Sequence, residues 1–255
     1  MTAKNLLKAV LPPPARRWLR RQPLGLGRML CRLGGGGEVD LLRRTTPAGE
    51  GWGGPRGQII DRYYIEKFLG EHTGDVKGHV LDFGDDANAR RFGGAKVTHV
   101  DVLNLSADNA HATIIADLSD GGKIPSNTFD CILCTQVLLL VYDLPAAVRT
   151  LYRILKPGGV LLVTAPGIQK ISRLDMETCG EYWRFTSLSL RRLFEEVFPE
   201  DRIEVKPSGN VLTATAFLHG LAVEDLRPED LKYQDPDFEV SIGLRAVKPD
   251  AGLTA

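Results

Sequence analysis

His79-Val-Leu-Asp82-Phe-Gly84-Asp85-Asp86-Ala-Asn88 is the stretch on which the architecture turns. Its first five residues are a short β-rich run, and Gly84 ends it where a chain can turn tightly. The spacing to the next run is short. From Gly84 to Asp101 a crossover helix has room only for about residues 88–92, before Gly93 and Gly94. Further β-rich runs cover 97–102, 112–118, 129–137 and 160–164. The spacing predicts a helix over 144–155, with Leu144, Val148, Leu151, Tyr152 and Leu155 on one face. Lys156-Pro-Gly-Gly159 stops it, because proline cannot continue a helix and glycine supplies a left-handed turn. Continuous apolar strands separated by helices describe a parallel sheet covered on both faces. A helix over 59–69, with Asp61 as its cap, precedes the sheet. A helix over 187–198, a strand over 203–205, a helical segment over 212–226 and a strand over 238–247 follow it.

Working outward, the 255 residues are 43% hydrophobic and 25% charged. Those values suit a folded α/β domain and exclude disorder, a fibrous repeat or a disulfide-stapled mini-protein. Apolar runs such as 137–142 are far shorter than the roughly 20 residues of a membrane span. The start of the chain lacks a secretory signal pattern. Four cysteines without regular spacing fit a reducing, cytoplasmic compartment. The zero net charge hides an asymmetry: residues 1–45 carry +8, and the remainder carries −8. Residues 1–55 therefore read as a basic N-terminal arm, 56–250 as the folded domain and 251–255 as a tail. Such an arm either contacts an anionic membrane surface peripherally or is a solvated leader. No nucleic-acid partner is expected.

From about residue 59 to 248 the chain resembles a class I S-adenosylmethionine-dependent methyltransferase of the methyltransferase-11 type. The resemblance implies a doubly wound, Rossmann-like sheet of seven strands, the last antiparallel, with S-adenosyl-L-methionine as cofactor. It rests on motifs in order: Asp82-Phe-Gly84, Asp101-Val102, Asp117-Leu118, the run 129–136 ending in Thr135-Gln136, and Leu155-Lys-Pro-Gly-Gly-Val160. By resemblance, Asp101 holds both ribose hydroxyls, Asp117 accepts from the adenine amino group, Leu118 packs on adenine, and Gln136 lines the methyl-transfer site. The family's second and third glycines are replaced by Asp86 and Asn88. Asp86 then either pairs with the ligand's ammonium, faces solvent, or obstructs the site. Gly84-Asp-Asp-Ala-Asn-Ala is not the dinucleotide fingerprint of a dehydrogenase.

Substrate-side candidates are Tyr63, Tyr142, Trp183 and Arg184. The string Tyr182-Trp-Arg-Phe-Thr186 mixes flat apolar surface with a cation, which suits a sugar ring or an anionic acceptor. Trp183 and Phe185 read equally as core anchors, and Arg62-Tyr-Tyr64 as either a lid or an amphipathic helix. His79 and His99 lie inside strands and read as core or edge residues. Cys131 and Cys134, three apart on a strand, point to opposite faces and read as buried thiols. No metal is expected, and no side chain stands out as the catalytic base. The resulting expectation is methyl transfer to a small-molecule or glycan-type acceptor, through a hydroxyl. The alternative is a non-catalytic binding or scaffolding module on the same fold.

Overall fold

The computed structural model describes residues 44–250. The chain divides into two units, residues 1–48 and 49–255. Of the first unit only 44–48 are described, as irregular and largely exposed backbone. The stripes expected near residues 6–11 and Trp18 lie outside the described residues.

The second unit opens with a 3-10 segment, Gly51–Arg56, and then α1, Ile60–Glu71. β1 (Gly78–Phe83), β2 (Val97–Asn104), β3 (Ile114–Ile115) and β4 (Phe129–Thr135) follow. Next come α2 (Leu144–Ile154), β5 (Leu155–Pro166), α3 (Arg173–Thr178) and α4 (Ser187–Glu195). β6 (Ile203–Ser208), α5 (Val211–Leu218), α6 (Pro228–Lys232) and β7 (Ser241–Val247) complete it. The sheet order is β3-β2-β1-β4-β5-β7-β6, with β7 antiparallel to both neighbours. This is the doubly wound, seven-stranded arrangement that the motif order implies.

Period-two burial along β4 explains the two layers. Ile132 and Cys134 enter one core with Val148 and Leu151 of α2 and Phe194 of α4. Cys131 and Leu133 enter the other with Ile65, Phe68 and Leu69 of α1. The two cysteines are thus buried on opposite faces, and burial pushes both thiols far up from their ordinary range. A third cluster joins Ile60 and Tyr64 of α1 to Ala214 and Phe217 of α5.

Several elements differ from the sequence expectation. Only Ile114–Ile115 of the run 112–118 pairs as a strand, because Asp117 turns the chain by accepting from Ser119 N and Oγ. β2 runs three residues past Asp101, since Phe83 of β1 pairs with Leu103. The segment 212–226 is not one helix: α5 stops at Leu218, and Gly220 turns the chain at φ +67°. Asp61 does not cap α1. Ile59 occupies that position, and Asp61 lies in the first turn. Elsewhere local chemistry prevails. Asp143 caps α2 by accepting from Ala146 N at 3.0 Å. Thr186 and Ser189 form a capping box on α4. Among the described residues no helix is long and apolar enough to cross a membrane.

Candidate active site

The carboxyl ends of β1 and β4 meet beside the start of α1, where doubly wound folds bind ligands. Gly84 leaves β1 at φ +79°, a conformation that favours glycine. Among the described residues nothing lies within 4 Å of where its side chain would begin, so the turn is open there. Below it, Asp82 is fully buried and accepts from Phe83 N and Ala89 N, both at 2.9 Å. Burial pushes its carboxyl up to about 7. Asp82 therefore clamps the turn from beneath instead of facing the open side. The crossover that follows is as short as the spacing demands: a single π-helical turn, Ala89–Gly93.

Asp86 turns to Arg90, accepting from Nε at 2.6 Å, and that hydrogen bond holds its carboxyl below the ordinary range. Asn88 is buried and ties three elements together. Its Oδ1 accepts from Arg62 Nη2 at 2.6 Å, and its Nδ2 donates to Thr135 Oγ1 at 3.4 Å. Gln136, just past β4, has φ +54°, uncommon for a residue other than glycine. Its main-chain N donates to Thr164 O at 2.9 Å, while its buried Nε2 has no hydrogen-bond partner among the described residues.

Gln136 lines a cleft of about 210 Å³ with Asp61, Trp52, Leu139, Leu140 and Ser172. Burial pushes the Asp61 carboxyl up to about 6. The neighbouring Arg62 is turned to Glu66 and Asn88. Gln169 and Asp175 also line it, so the cleft presents carboxylate acceptors and amide donors beside the apolar side chains of Trp52, Ile59, Leu139 and Leu140.

The other expected residues do not line this cleft. Asp101 does not stand at a strand end. Its Oδ1 accepts from Thr113 Oγ1 at 2.6 Å, and its Oδ2 lies 2.7 Å from His79 Nε2. Partial burial pushes its carboxyl up, and the bonds from Thr113 and His79 outweigh this and hold it low. Val102 is buried, and its N donates to Thr113 Oγ1. The polar side chain at the carboxyl end of β2 is Asn104. Asp117 is exposed, and Leu118 is buried in the larger core.

Tyr63 meets Tyr64 edge to face and packs against the cluster of α1 and α5. Tyr142, Trp183 and Arg184 line a second, open groove of about 770 Å³ with Phe185 and Arg192. Tyr142 stacks on Trp183 at 6.1 Å, and Trp183 Nε1 donates to Val141 O at 3.0 Å. Phe185 is a core anchor. The Arg184 guanidinium is held by Glu181 and by Lys170 O. Leu139 and Leu140 line the cleft and Tyr142 lines the groove, in one segment pinned where Tyr182 N donates to Leu139 O at 2.8 Å. Sequence reasoning missed Asp61 as a site residue. The sequence shows an acid at the start of a helical stretch, which reads as a cap, and only the fold shows that Ile59 holds that position instead.

Residues 83–163, from the end of β1 into β5, match the methyltransferase domain family. The ubiquinone/menaquinone biosynthesis C-methyltransferase UbiE of Pasteurella multocida is 34% identical over 77 residues, 30% of this chain and 27% of that protein. UbiE of Escherichia coli is 48% identical over 52 residues, 19% of this chain and 21% of that one. The chain thus aligns with only about a quarter of the length of these curated relatives. Among solved structures, a SAM-dependent methyltransferase from Archaeoglobus fulgidus superposes with a TM-score of 0.50 at 11% identity, covering 73% of this chain and 94% of that one. The [4+2]-cyclase SpnF superposes with a TM-score of 0.50 at 18% identity, covering 89% and 96%. Strand order, the glycine turn and the domain match together define the class. The chain has the class I S-adenosylmethionine-dependent methyltransferase fold, and its residues 83–163 match the methyltransferase domain family.

Proposed function

We propose that this protein binds S-adenosylmethionine at the carboxyl edge of β1 and β4 and methylates a small-molecule acceptor. The observation that carries this reading is the buried Gln136 Nε2, without a hydrogen-bond partner among the described residues, on a cleft that Asp61 also lines. A donor and an acceptor on one cleft complement the carboxylate and ammonium of an amino-acid end. The open turn at Gly84 leaves backbone accessible beside it. S-adenosylmethionine, when bound, supplies a methyl group already activated by its sulfonium charge. The chain's contribution is alignment and desolvation. Gln136 and Asp61 fix one end, and Trp52, Leu139 and Leu140 exclude water. Exposed Asp117 suits the adenine amino group. In this strand register the ribose meets Asn104 before Asp101, whose oxygens are already engaged.

The acceptor site in this reading is the adjoining groove. Stacked Tyr142 and Trp183 offer a flat apolar shelf, and Arg192, ion-paired with Glu195, a cation beside it. A sugar-like ring carrying a hydroxyl suits that surface.

A second reading, a binding module without methyl transfer, has its own support in the engaged Asp101 and in Asp86 replacing a glycine. The neighbouring [4+2]-cyclase indicates that the fold alone does not decide the reaction. Titration of S-adenosylmethionine into the full chain separates the two. Saturable binding, weakened roughly tenfold or more in Gln136→Ala, with methyl transfer to a hydroxylated acceptor, is the expected result. Binding without turnover favours the module. No binding overturns both the site and the cofactor.

A further inference from the structure

Three side chains of metal-ligand chemistry converge on one face of the sheet, away from the cleft. His79 of β1 and His99 of β2 are register partners in a parallel pair, so their side chains leave the sheet on the same side. Their ring centroids are 4.7 Å apart. Asp101, two residues beyond His99, returns to that face. His79 Nε2 lies 2.7 Å from Asp101 Oδ2, and His99 Nε2 lies 3.7 Å from Asp101 Oδ1. One ligand atom from each of the three lies within 4.8 Å of the others.

The face is open for a topological reason. β3 is two residues long, and the links 105–113 and 116–128 on either side of it contain no helix to cover β1 and β2. The side chains of His79, His99 and Asp101 accordingly keep 24%, 62% and 18% of their exposure. The site is held from behind. Thr113 Oγ1 donates to Asp101 Oδ1 at 2.6 Å, the kind of outer contact that orients a ligating carboxylate. His79 N donates to Asp130 Oδ2 at 2.8 Å, which fixes the β1 backbone at the ligand.

We infer that His79, His99 and Asp101 form a binding site for a divalent first-row transition-metal ion of the zinc type. Two imidazoles and one carboxylate suit zinc, cobalt or nickel better than magnesium or calcium. Tetrahedral zinc, with bonds of about 2.0–2.1 Å, places its donor atoms about 3.3 Å apart. The two imidazole nitrogens lie 2.7 and 3.7 Å from different oxygens of the one carboxylate, Oδ2 and Oδ1, so bringing one oxygen and both nitrogens onto an ion takes side-chain rotation. To ligate, His79 presents Nε2 unprotonated, in the tautomer that carries the ring proton on Nδ1, and the ion takes the place of the His79–Asp101 contact. The open side leaves the remaining coordination to water. The ion ties β1 to β2 where, among the described residues, no helix does so, and it holds Asp101 on the face of the sheet. It does not depend on the methyltransferase reading.

The test uses the full chain after chelator treatment, titrated calorimetrically with zinc chloride and, by visible absorption, with cobalt chloride. One equivalent should bind, a tetrahedral cobalt band should appear, and zinc should raise the thermal midpoint. His99→Ala, which removes a largely exposed side chain and leaves the core intact, should weaken binding more than tenfold and abolish the thermal shift. Asp101→Asn should do the same. Absence of saturable binding in the parent overturns the assignment. So does binding that persists unchanged in both variants, because the ion then sits elsewhere.

Discussion

Asp61 combines two properties that the first turn of a helix rarely joins. It is an acid near a helix N-terminus, where negative charge is favoured, yet burial pushes its carboxyl up to about 6. Only the ionised form is the acceptor an ammonium needs. Raising the pH from 5 to 7 removes the proton, so cofactor affinity should rise through about 6. Asp61→Asn should abolish that slope and weaken binding roughly tenfold at neutral pH, a change of about 1.4 kcal/mol. Titrations at several pH values check both. Residue identity was partly legible in the sequence. Gly84 and Gln136 stand where the motif order put them, because tight turns at strand ends are encoded locally. Asp101 was read at the end of its strand because four neighbouring residues cannot reveal where pairing stops. That end is set by Phe83 pairing with Leu103, a contact between distant parts of the chain.

At the scale of elements, the seat of α1 decides where Asp61 and Arg62 point. Gly243, in the middle of β7, lets the Phe68 ring of α1 lie directly on the sheet. A side chain there would begin 2.4 Å from Phe68 Cδ2 and 2.7 Å from Cε2. Gly243→Ala should therefore lift α1 and cost about 1–3 kcal/mol, the usual penalty of overpacking. Urea unfolding measures the cost, and a parallel loss of cofactor affinity would show that the helix carries the site with it. Helices with a strong apolar face and local caps, such as α2 and α4, were readable almost to their ends. The run 112–118 was not, because β-rich composition says nothing about whether a partner strand extends far enough to pair it. Arg62 binding Asn88, twenty-six positions away, was equally invisible.

For the molecule as a whole, Asp82 makes stability depend on pH in an unusual direction. An unfolded carboxyl loses its proton near 4, whereas folded Asp82 keeps it to about 7. Between these values the native state binds the extra proton, so stability falls as pH rises from 4 to 7 and levels off above. Asp61 acts in the same sense up to about 6. Urea midpoints between pH 5 and 8 should show this decline in the parent and a shallower one in Asp82→Asn. The sheet order has a different consequence, one of timing. β7 is the last strand to be synthesised, yet it lies inside the sheet between β5 and β6. On the ribosome, β5 emerges with an apolar edge bare, and β6 has no strand beside it, until residues Ser241–Val247 are released. Such an edge invites foreign pairing. The yield of soluble protein should thus be governed by how quickly the final stretch is translated, a kinetic hazard that no gain in native stability removes.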